Sequence, residues 1–527
     1  MKKIIIKLAI VTAAFMPLTS CLKDLNQKPI SDITSANLYE NFANYKAVLA
    51  KCYAGLATTG NQGPAGKPDI QDIDEGFSSY VRVLWCMQEL STDVAKCQWS
   101  DAGLPELNTG NWSANNVWTQ AMYYRVFYQI AMCNEFLREL TDAKLASRNI
   151  TGTDLADAKK YRSEVRFLRA LSYYHALDLF GGNVPFVTEE SSTADLPKPT
   201  NAADLFAYIE SELKVVEAEL AEPGANEYGR ADRAATWMLL SKLYLNANVY
   251  IGANKYNESS VYAKKVIDAG NYSLETNYAD VFKADNNNSK EIIFAVNFDG
   301  IHTRTYGGTT FLVHACVGGK MNPNDYGIGG GWGGMRATPE FVDKFPNTSD
   351  TRGMFFTTGQ TKAMPKLTGS FEAGYGLAKF SNLRKDSTAG ADLTFVDTDF
   401  PLFRLSEAYL NYVEANTRGG AGDAGLALTY MNKVRNRAYA GNTIGEYTSI
   451  ADITDDELID ERGRELYHEC TRRTDLRRFG KFTGGSYNWS WKGGSQVGVG
   501  LSEFKGIFPI PTSDLNANTN LKQNTGY

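Results

Sequence analysis

The spacing of apolar residues predicts a mostly helical protein. Apolar side chains recur every three to four positions, the period of an amphipathic helix, in several separate stretches. These stretches are residues 35–57, 113–145, 158–180, 233–248, 257–267, 403–416 and 424–438. In the clearest one, residues 158–180, one face carries Tyr161, Val165, Leu168, Ser172, His175 and Leu179, and Gly181-Gly182 ends the helix.

Four of these stretches form two helix pairs with small residues where the helices would cross. The pairs are 233–248 with 257–267 and 403–416 with 424–438, and both resemble tetratricopeptide units. From about 284 to 400 the pattern changes to loops and short strands, such as Glu291 to Val296. We therefore expect a single mostly α domain over residues 35–527, a helical scaffold with tetratricopeptide-like helix pairs and an inserted loop-rich, ligand-binding portion.

Inside that portion, one tryptophan is surrounded by glycines. The run Gly327 to Gly334 contains Ile328 and Trp332 as its only residues with side chains. A loop of this composition buries too little to stabilise itself. Trp332 is thus either an anchor that holds the loop to the body or a flat exposed surface for a ligand, and both interpretations stay open at this point.

Composition and charge remove one class of partner. Of the 527 residues, 43% are hydrophobic and 22% are charged, which is ordinary for a globular protein. The net charge of −6 and the pI near 5.5 argue against a nucleic-acid partner, because such proteins normally present a basic face. Aromatic residues make up 12% of the chain, a share that also suits a carbohydrate-binding surface.

The N-terminal residues predict export and lipidation. Residues 1–20 combine a basic start, an apolar run and small residues before Cys21, as in a lipoprotein signal peptide. Cleavage would leave Cys21 as the acylated residue and residues 21–34 as a lipidated tether. An ordinary cleaved signal that happens to end near a cysteine is the alternative. The other six cysteines match no zinc motif and are expected to be small buried side chains.

Motifs for catalysis are mostly missing. His468-Glu469 lacks the second histidine of a zinc protease, and Gly329 to Gly334 follows no strand, so it does not predict a dinucleotide site. Asp74 with Glu75 could nominally supply the carboxylate pair of a glycosidase. We favour the alternative that these acids cap turns and bind Arg82. The charged residues between Glu461 and Arg478 are interpreted as an ion-pair network.

Two oxygen-rich turns are compatible with a calcium ion. Asp285 and Asn287 lie in one turn, and Asp397 and Asp399 lie in the other. Calcium takes carboxylate, amide and carbonyl oxygens. From the residues alone, we favour ordinary hydrogen-bonded Asx turns as the explanation of both segments.

Several motifs resemble the RagB/SusD family over the whole mature chain. They are Glu164 to Tyr174 running into Leu179-Phe180-Gly181-Gly182, Phe403 to Leu410, Arg472 to Gly480, and Pro509-Ile510-Pro511. The segments Asp72 to Ser78, Asp101 to Leu107 and Leu515 to Tyr527 are similar to its starch-binding members in particular. The loop before Trp332 departs from the pattern by two extra residues, which leaves its rigidity open.

The resemblance implies a non-catalytic surface lipoprotein of the outer membrane that binds starch and malto-oligosaccharides for a SusC-like TonB-dependent transporter. Other surface glycan-binding lipoproteins and amylases are further implied partners. The matching positions of the aromatic site are Trp99, Tyr306 and Trp332, with Arg82, Asp74 and Asp101 beside them. No cofactor is required, but the resemblance supports a structural calcium at the two oxygen-rich turns. The alternatives are another glycan, a helical-repeat adaptor without a sugar site, and a surface glycosidase.

Overall fold

The computed structural model describes residues 35–527. The expected signal peptide, Cys21 and the tether lie outside the described residues. Contacts divide the chain into a compact unit of residues 47–527 and a separate unit that ends at Lys46. Within residues 35–527, no helix combines the length and apolar character needed to cross a membrane.

The described chain is mainly helical, as predicted. Its longer helices are α1 (Ala43–Ala57), α2 (Val117–Glu139), α3 (Gly152–Phe180), α4 (Ala202–Glu219), α5 (Arg233–Leu245), α6 (Tyr256–Asp268), α7 (Gly308–Cys316), α8 (Leu405–Thr417), α9 (Ala424–Ala438) and α10 (Asp455–Leu466). Short helices are Ser35–Leu38, Tyr80–Trp85, Leu104–Thr109, Asp142–Ser147, Ala247–Ile251, Pro339–Val342, Arg472–Arg478 and Thr512–Ala517.

Helix α3 is the centre of the scaffold. It packs against α2 on one side and α4 on another, so its residues from Phe167 to Phe180 are all buried. The prediction of a single apolar face was therefore too narrow. The predicted end is confirmed, because Gly181 has a φ of 74°, in the left-handed region that glycine adopts without strain.

The two predicted helix pairs are confirmed. Helix α5 packs on α6, α6 packs on α8, and α8 packs on α9, which gives a continuous stack. Small residues do lie at a crossing, because Ser241 donates to the Ser259 carbonyl oxygen at 3.1 Å. The predicted start of α8 at Phe403 was wrong: Phe403 and Arg404 belong to a strand and pair with the segment around Phe294.

Short antiparallel strands connect the loop-rich region to the scaffold. Strands β1 (Ala95–Cys97), β3 (Met335–Ala337), β5 (Tyr375–Leu377) and β4 (Phe355–Phe356) form one sheet in this order. Strands β2 (Ile292–Val296) and β6 (Phe400–Arg404) form a second. The region also contains α7, which the sequence analysis missed and whose residues are all buried.

The charged cluster near the C-terminus is a buried ion-pair network, as interpreted. Arg478 contacts Glu414 at 2.6 Å and Asp475 at 2.7 Å, and Arg472 contacts Asp93 at 2.7 Å. Because these guanidinium groups are buried and paired, they present no basic binding face. The six described cysteines are free, and all but Cys470 are buried.

Candidate functional site

Pairing of β1 with β3 brings two distant tryptophans together. Cys97 lies opposite Met335, so Trp99, two residues after β1, meets Trp332, three residues before β3. The Trp99 indole N–H donates to the Trp332 carbonyl oxygen at 3.2 Å, and the ring centroids are 6.4 Å apart with planes at 46°. Two segments far apart in sequence thus form one corner of a site.

Tyr306 extends the corner into a curved wall. Its ring lies 6.5 Å from that of Trp332 with planes at 52°. All three side chains are half-buried, so each keeps part of its ring in contact with solvent. We call Trp99, Tyr306 and Trp332 the aromatic arc. The three rings are tilted by about 50° to one another and line the same open cleft, so together they form a concave wall, a shape that suits a ligand that is itself curved.

The glycine-rich loop is held by a series of backbone hydrogen bonds. The amides of Trp332, Gly333 and Gly334 donate to the carbonyl oxygens of His314, Val317 and Ala315 at 2.7, 2.8 and 2.7 Å. A Cβ on Gly331 would collide with the Val317 carbonyl, and one on Gly334 would lie 2.6 Å from the Trp99 ring. The glycines therefore permit close packing against α7 and β1 rather than leaving the loop without support.

Trp332 combines both of the interpretations considered for it. One side of its ring stacks on His314, with centroids 4.8 Å apart and planes at 23°. The ring also lines an open cleft of about 740 Å³ together with Trp99 and Tyr306. It is thus an anchor for the loop and a half-exposed platform at once.

Arg82 forms the floor of this cleft. Its guanidinium donates to the carbonyl oxygens of Gly76 at 2.6 Å and Tyr306 at 3.2 Å, and it lies 4.4 Å from the centre of the Phe311 ring. Its Nε has no partner among the described residues. Burial lowers the pKa of Arg82, while the carboxylates of Asp101 and Asp74 act in the opposite direction. Arg82 therefore has one buried N–H that is not used by the described residues.

The two acids lie at the rim of the cleft. Asp74 is exposed and accepts from the Gly76 amide at 2.7 Å, and Asp101 is also exposed. Asp74 caps its turn, as expected, but no direct ion pair with Arg82 forms among the described residues. Neighbouring Glu75 is occupied as well, because it accepts from the Ala65 amide at 2.9 Å.

All six predicted ligand-binding side chains line the same cleft. Two further aromatic residues line the cleft and were not predicted from the sequence: Phe77 and Trp118, whose rings stack with centroids 4.3 Å apart. Both belong to aromatic-rich segments, but their spacing did not distinguish them from core residues. Flat apolar faces beside hydrogen-bonding groups fit a sugar, which has apolar C–H faces and a rim of hydroxyls.

The four residues of the expected calcium site also come together, in a separate open depression. We call Asp285, Asn287, Asp397 and Asp399 the acidic depression. Asp397 accepts from the amides of Gly300 at 3.0 Å and Ala391 at 2.8 Å. Asp399 accepts from the Phe298 amide at 2.7 Å and the Tyr228 hydroxyl at 2.8 Å.

The carboxylates of the acidic depression are therefore already bonded to donors. Burial raises the pKa of Asp399 to about 7, and repulsion from Asp397 and Asp299 adds to this shift. The described residues contain no group of three or more His, Cys, Asp or Glu side chains arranged to hold a metal ion. Calcium binding at the acidic depression stays a prediction.

The histidines set aside as catalytic candidates lie inside the protein. His175 is buried and contacts the Tyr80 hydroxyl at 2.8 Å, as expected of a core residue. His468 is fully buried beside Trp85, with ring centroids 5.1 Å apart, and cannot meet a substrate.

Comparison with known proteins decides the family. A sequence model of a protein family, described as "SusD family", matches residues 347–527. The starch-binding protein SusD of Bacteroides thetaiotaomicron is 35% identical, over 98% of this chain and 98% of its own length. The chain belongs to the SusD family. A SusD-like protein, P25, of Formosa agariphila is 26% identical over 88% of this chain and 87% of its own.

Solved structures agree with this SusD-family fold. A SusD superfamily protein from Parabacteroides distasonis superposes with a TM-score of 0.72 at 22% identity, covering 94% of this chain and 100% of the other. Surface glycan-binding protein A from Bacteroides thetaiotaomicron, in complex with laminarihexaose, superposes with a TM-score of 0.68 at 22% identity, covering 92% and 99%. The family assignment agrees with a glycan-binding protein that carries out no catalysis.

Proposed function

We propose that this SusD-family protein binds starch and malto-oligosaccharides through the aromatic arc. The observation that supports the proposal most is the concave arrangement of Trp99, Trp332 and Tyr306, with ring planes tilted by 46° and 52°. An α-1,4-glucan is a curved, helical chain, whereas flatter glycans would meet only part of the arc. Arg82, Asp74 and Asp101 would then bond the sugar hydroxyls.

The expected affinity is modest. Covering one glucose face on an aromatic ring removes about 40 Å² from water, or about 1 kcal/mol per ring at roughly 25 cal/mol/Å². Three rings and a few hydrogen bonds give about 4–6 kcal/mol, which corresponds to dissociation constants from about a millimolar to tens of micromolar. Cyclic or helical glucans should bind better than short linear ones, because less ordering entropy is lost on binding.

In the proposed role, the protein is anchored to the outer membrane through acylated Cys21 and faces the cell exterior. It would pass bound glucan to a SusC-like TonB-dependent transporter and act beside other surface glycan-binding lipoproteins and amylases. The similarity to starch-binding SusD along nearly the whole chain supports this proposal.

Affinity electrophoresis tests which glycan the protein binds. We expect retardation in gels that contain amylopectin and little or none in dextran or levan. Pullulan is an intermediate case, because α-1,6 linkages divide its α-1,4-linked chain into short maltotriose units. If the protein migrates unchanged in amylopectin but is retarded in another gel, its ligand is that other glycan and not starch. Migration unchanged in all four would favour an adaptor without a sugar site. Release of reducing sugar from maltoheptaose would instead indicate a glycosidase.

We also propose that the acidic depression binds a structural calcium ion. The support is that four oxygen-bearing side chains line one depression, because calcium takes carboxylate and amide oxygens. Binding requires that some N–H and O–H bonds to Asp397 and Asp399 be exchanged for metal contacts. We expect calcium to raise the thermal midpoint at pH 8 relative to a sample in chelator, whereas an unchanged midpoint would argue against the site.

A further inference from the structure

His314 connects three separate segments behind the aromatic arc. It lies on α7, and its side chain is only 3% exposed. Nδ1 lies 2.6 Å from the carbonyl oxygen of Gly330 in the glycine-rich loop, and Nε2 lies 2.8 Å from the carbonyl oxygen of Thr394. A neutral imidazole carries one N–H, so one of these two carbonyls receives a hydrogen bond, and the tautomer decides which.

The same residue also contacts Trp332 in two ways. The imidazole stacks under the indole with planes at 23°, and the His314 carbonyl accepts from the Trp332 amide at 2.7 Å. Backbone position and ring tilt of Trp332 are thus both defined by one histidine. A phenylalanine could preserve the flat support, but it would remove the one N–H that bonds the carbonyl of Gly330 or Thr394.

We propose that His314 is the positioning residue of the aromatic arc. It fixes the tilt of Trp332 relative to Trp99 and Tyr306, so that the concave shape exists before glucan arrives. The inference rests on the proposed function, since the arc is the proposed glucan site. Its physical basis is preorganisation: a ring already held in the bound orientation loses less conformational freedom when ligand binds.

The decisive variant is His314→Phe, with His302→Phe as the matched control. His302 is an exposed histidine bonded to Asp299, so the same substitution there leaves the arc intact. We expect His314→Phe to bind cyclomaltoheptaose about three- to tenfold more weakly, the effect of one lost hydrogen bond and a less ordered ring, with His302→Phe unchanged. Isothermal titration calorimetry measures both.

A second measurement needs no ligand. Hydrogen exchange should become faster at the amides of Trp332, Gly333 and Gly334 in His314→Phe, while the thermal midpoint moves no more than in the control. His314→Gln retains an N–H donor and should restore part of the exchange protection and part of the affinity.

The outcomes separate this inference from the proposed function. Unchanged affinity and unchanged loop exchange in His314→Phe would overturn the positioning role, even if wild-type protein binds glucan. Unfolding of both His314 variants would also overturn it, because His314 would then be a core residue. Wild-type protein that binds no glucan would remove the proposed function, whereas faster loop exchange in His314→Phe would still support His314 as the support of Trp332.

Discussion

The aromatic arc and the acidic depression both include loops of the region between residues 284 and 400, yet they differ in what their side chains have left to offer. In the arc, three rings remain partly exposed, and Arg82 at the cleft floor has an Nε without a described partner. In the acidic depression, Asp397 and Asp399 already accept hydrogen bonds from amides and from Tyr228.

The aromatic arc is therefore a surface that can still gain contacts with a ligand. The carboxylates of the acidic depression already have hydrogen-bond partners within the protein. The partly exposed ring faces can be covered by a glucan without breaking a bond that the fold already makes. A cation at the acidic depression must compete with bonds that the fold already makes. The comparison predicts that substitutions in the arc change binding more than stability, and that substitutions in the depression change stability and its dependence on pH.

The largest expected effect concerns Asp399. A folded-state pKa of about 7 lies above the ordinary value of 3.8, so the native state binds this proton more tightly than the unfolded state. The resulting stabilisation is complete below about pH 4 and is lost as pH rises through 7. Asp399→Asn should therefore gain up to about 4 kcal/mol in unfolding free energy relative to wild type between pH 4 and pH 8.

Urea unfolding of both proteins across this range measures the difference, in chelator so that calcium plays no part. A difference between the two proteins that does not change with pH would show that Asp399 ionises normally. Repeating the pH 8 measurement with calcium gives a second comparison: wild type should be stabilised, and Asp399→Asn should respond less.

Trp332→Ala is expected to have the next largest effect, on binding. Loss of the ring face and of the loop support should weaken binding of cyclomaltoheptaose by about 1–2 kcal/mol, roughly five- to thirtyfold. The thermal midpoint should stay nearly unchanged. Trp237→Ala is the control, since Trp237 is a half-buried tryptophan on α5 outside the cleft. A midpoint lowered by several degrees would instead identify Trp332 mainly as an anchor.

Gly331→Ala tests the shape of the arc without removing a ring. The added methyl would collide with the Val317 carbonyl, so the loop must shift and Trp332 with it. Gly330→Ala is the matched control, because nothing lies within 4 Å of its added Cβ. We expect binding about threefold to tenfold weaker in Gly331→Ala and little change in Gly330→Ala. Equal affinities in a calorimetric titration would mean that loop position does not control binding.

The smallest effect is expected for Arg82→Lys. Lysine keeps the charge but loses the guanidinium, which donates from Nη1 to the carbonyls of Gly76 and Tyr306 and contacts the Phe311 ring. We expect binding weaker by about 0.5 kcal/mol, or roughly twofold. An affinity equal to that of wild type would exclude Arg82 as a donor to the sugar.

The periodicity of apolar residues was sufficient to predict the helices of the scaffold but not the structure of the loop-rich region. The repeat of apolar residues predicted the helix over 424–438 and the pairing of α5 with α6, because each long helix must bury its own apolar stripe. It failed at Phe403, where strand pairing with β2 overrides the local helical pattern. It also missed α7, since a short, fully buried helix shows no alternation of apolar and polar faces.

The sequence by itself determined which parts this protein has. Its helical scaffold, its aromatic residues and the motifs of its family can all be read from the linear pattern. Tertiary structure alone decided how those residues meet. The opposition of Cys97 and Met335 places Trp99 beside Trp332, and His314 and Arg82 contact the arc only because α7 packs behind it. The physical reason is range: periodicity reflects neighbours along one element, whereas the tilt between rings depends on contacts between segments more than two hundred residues apart.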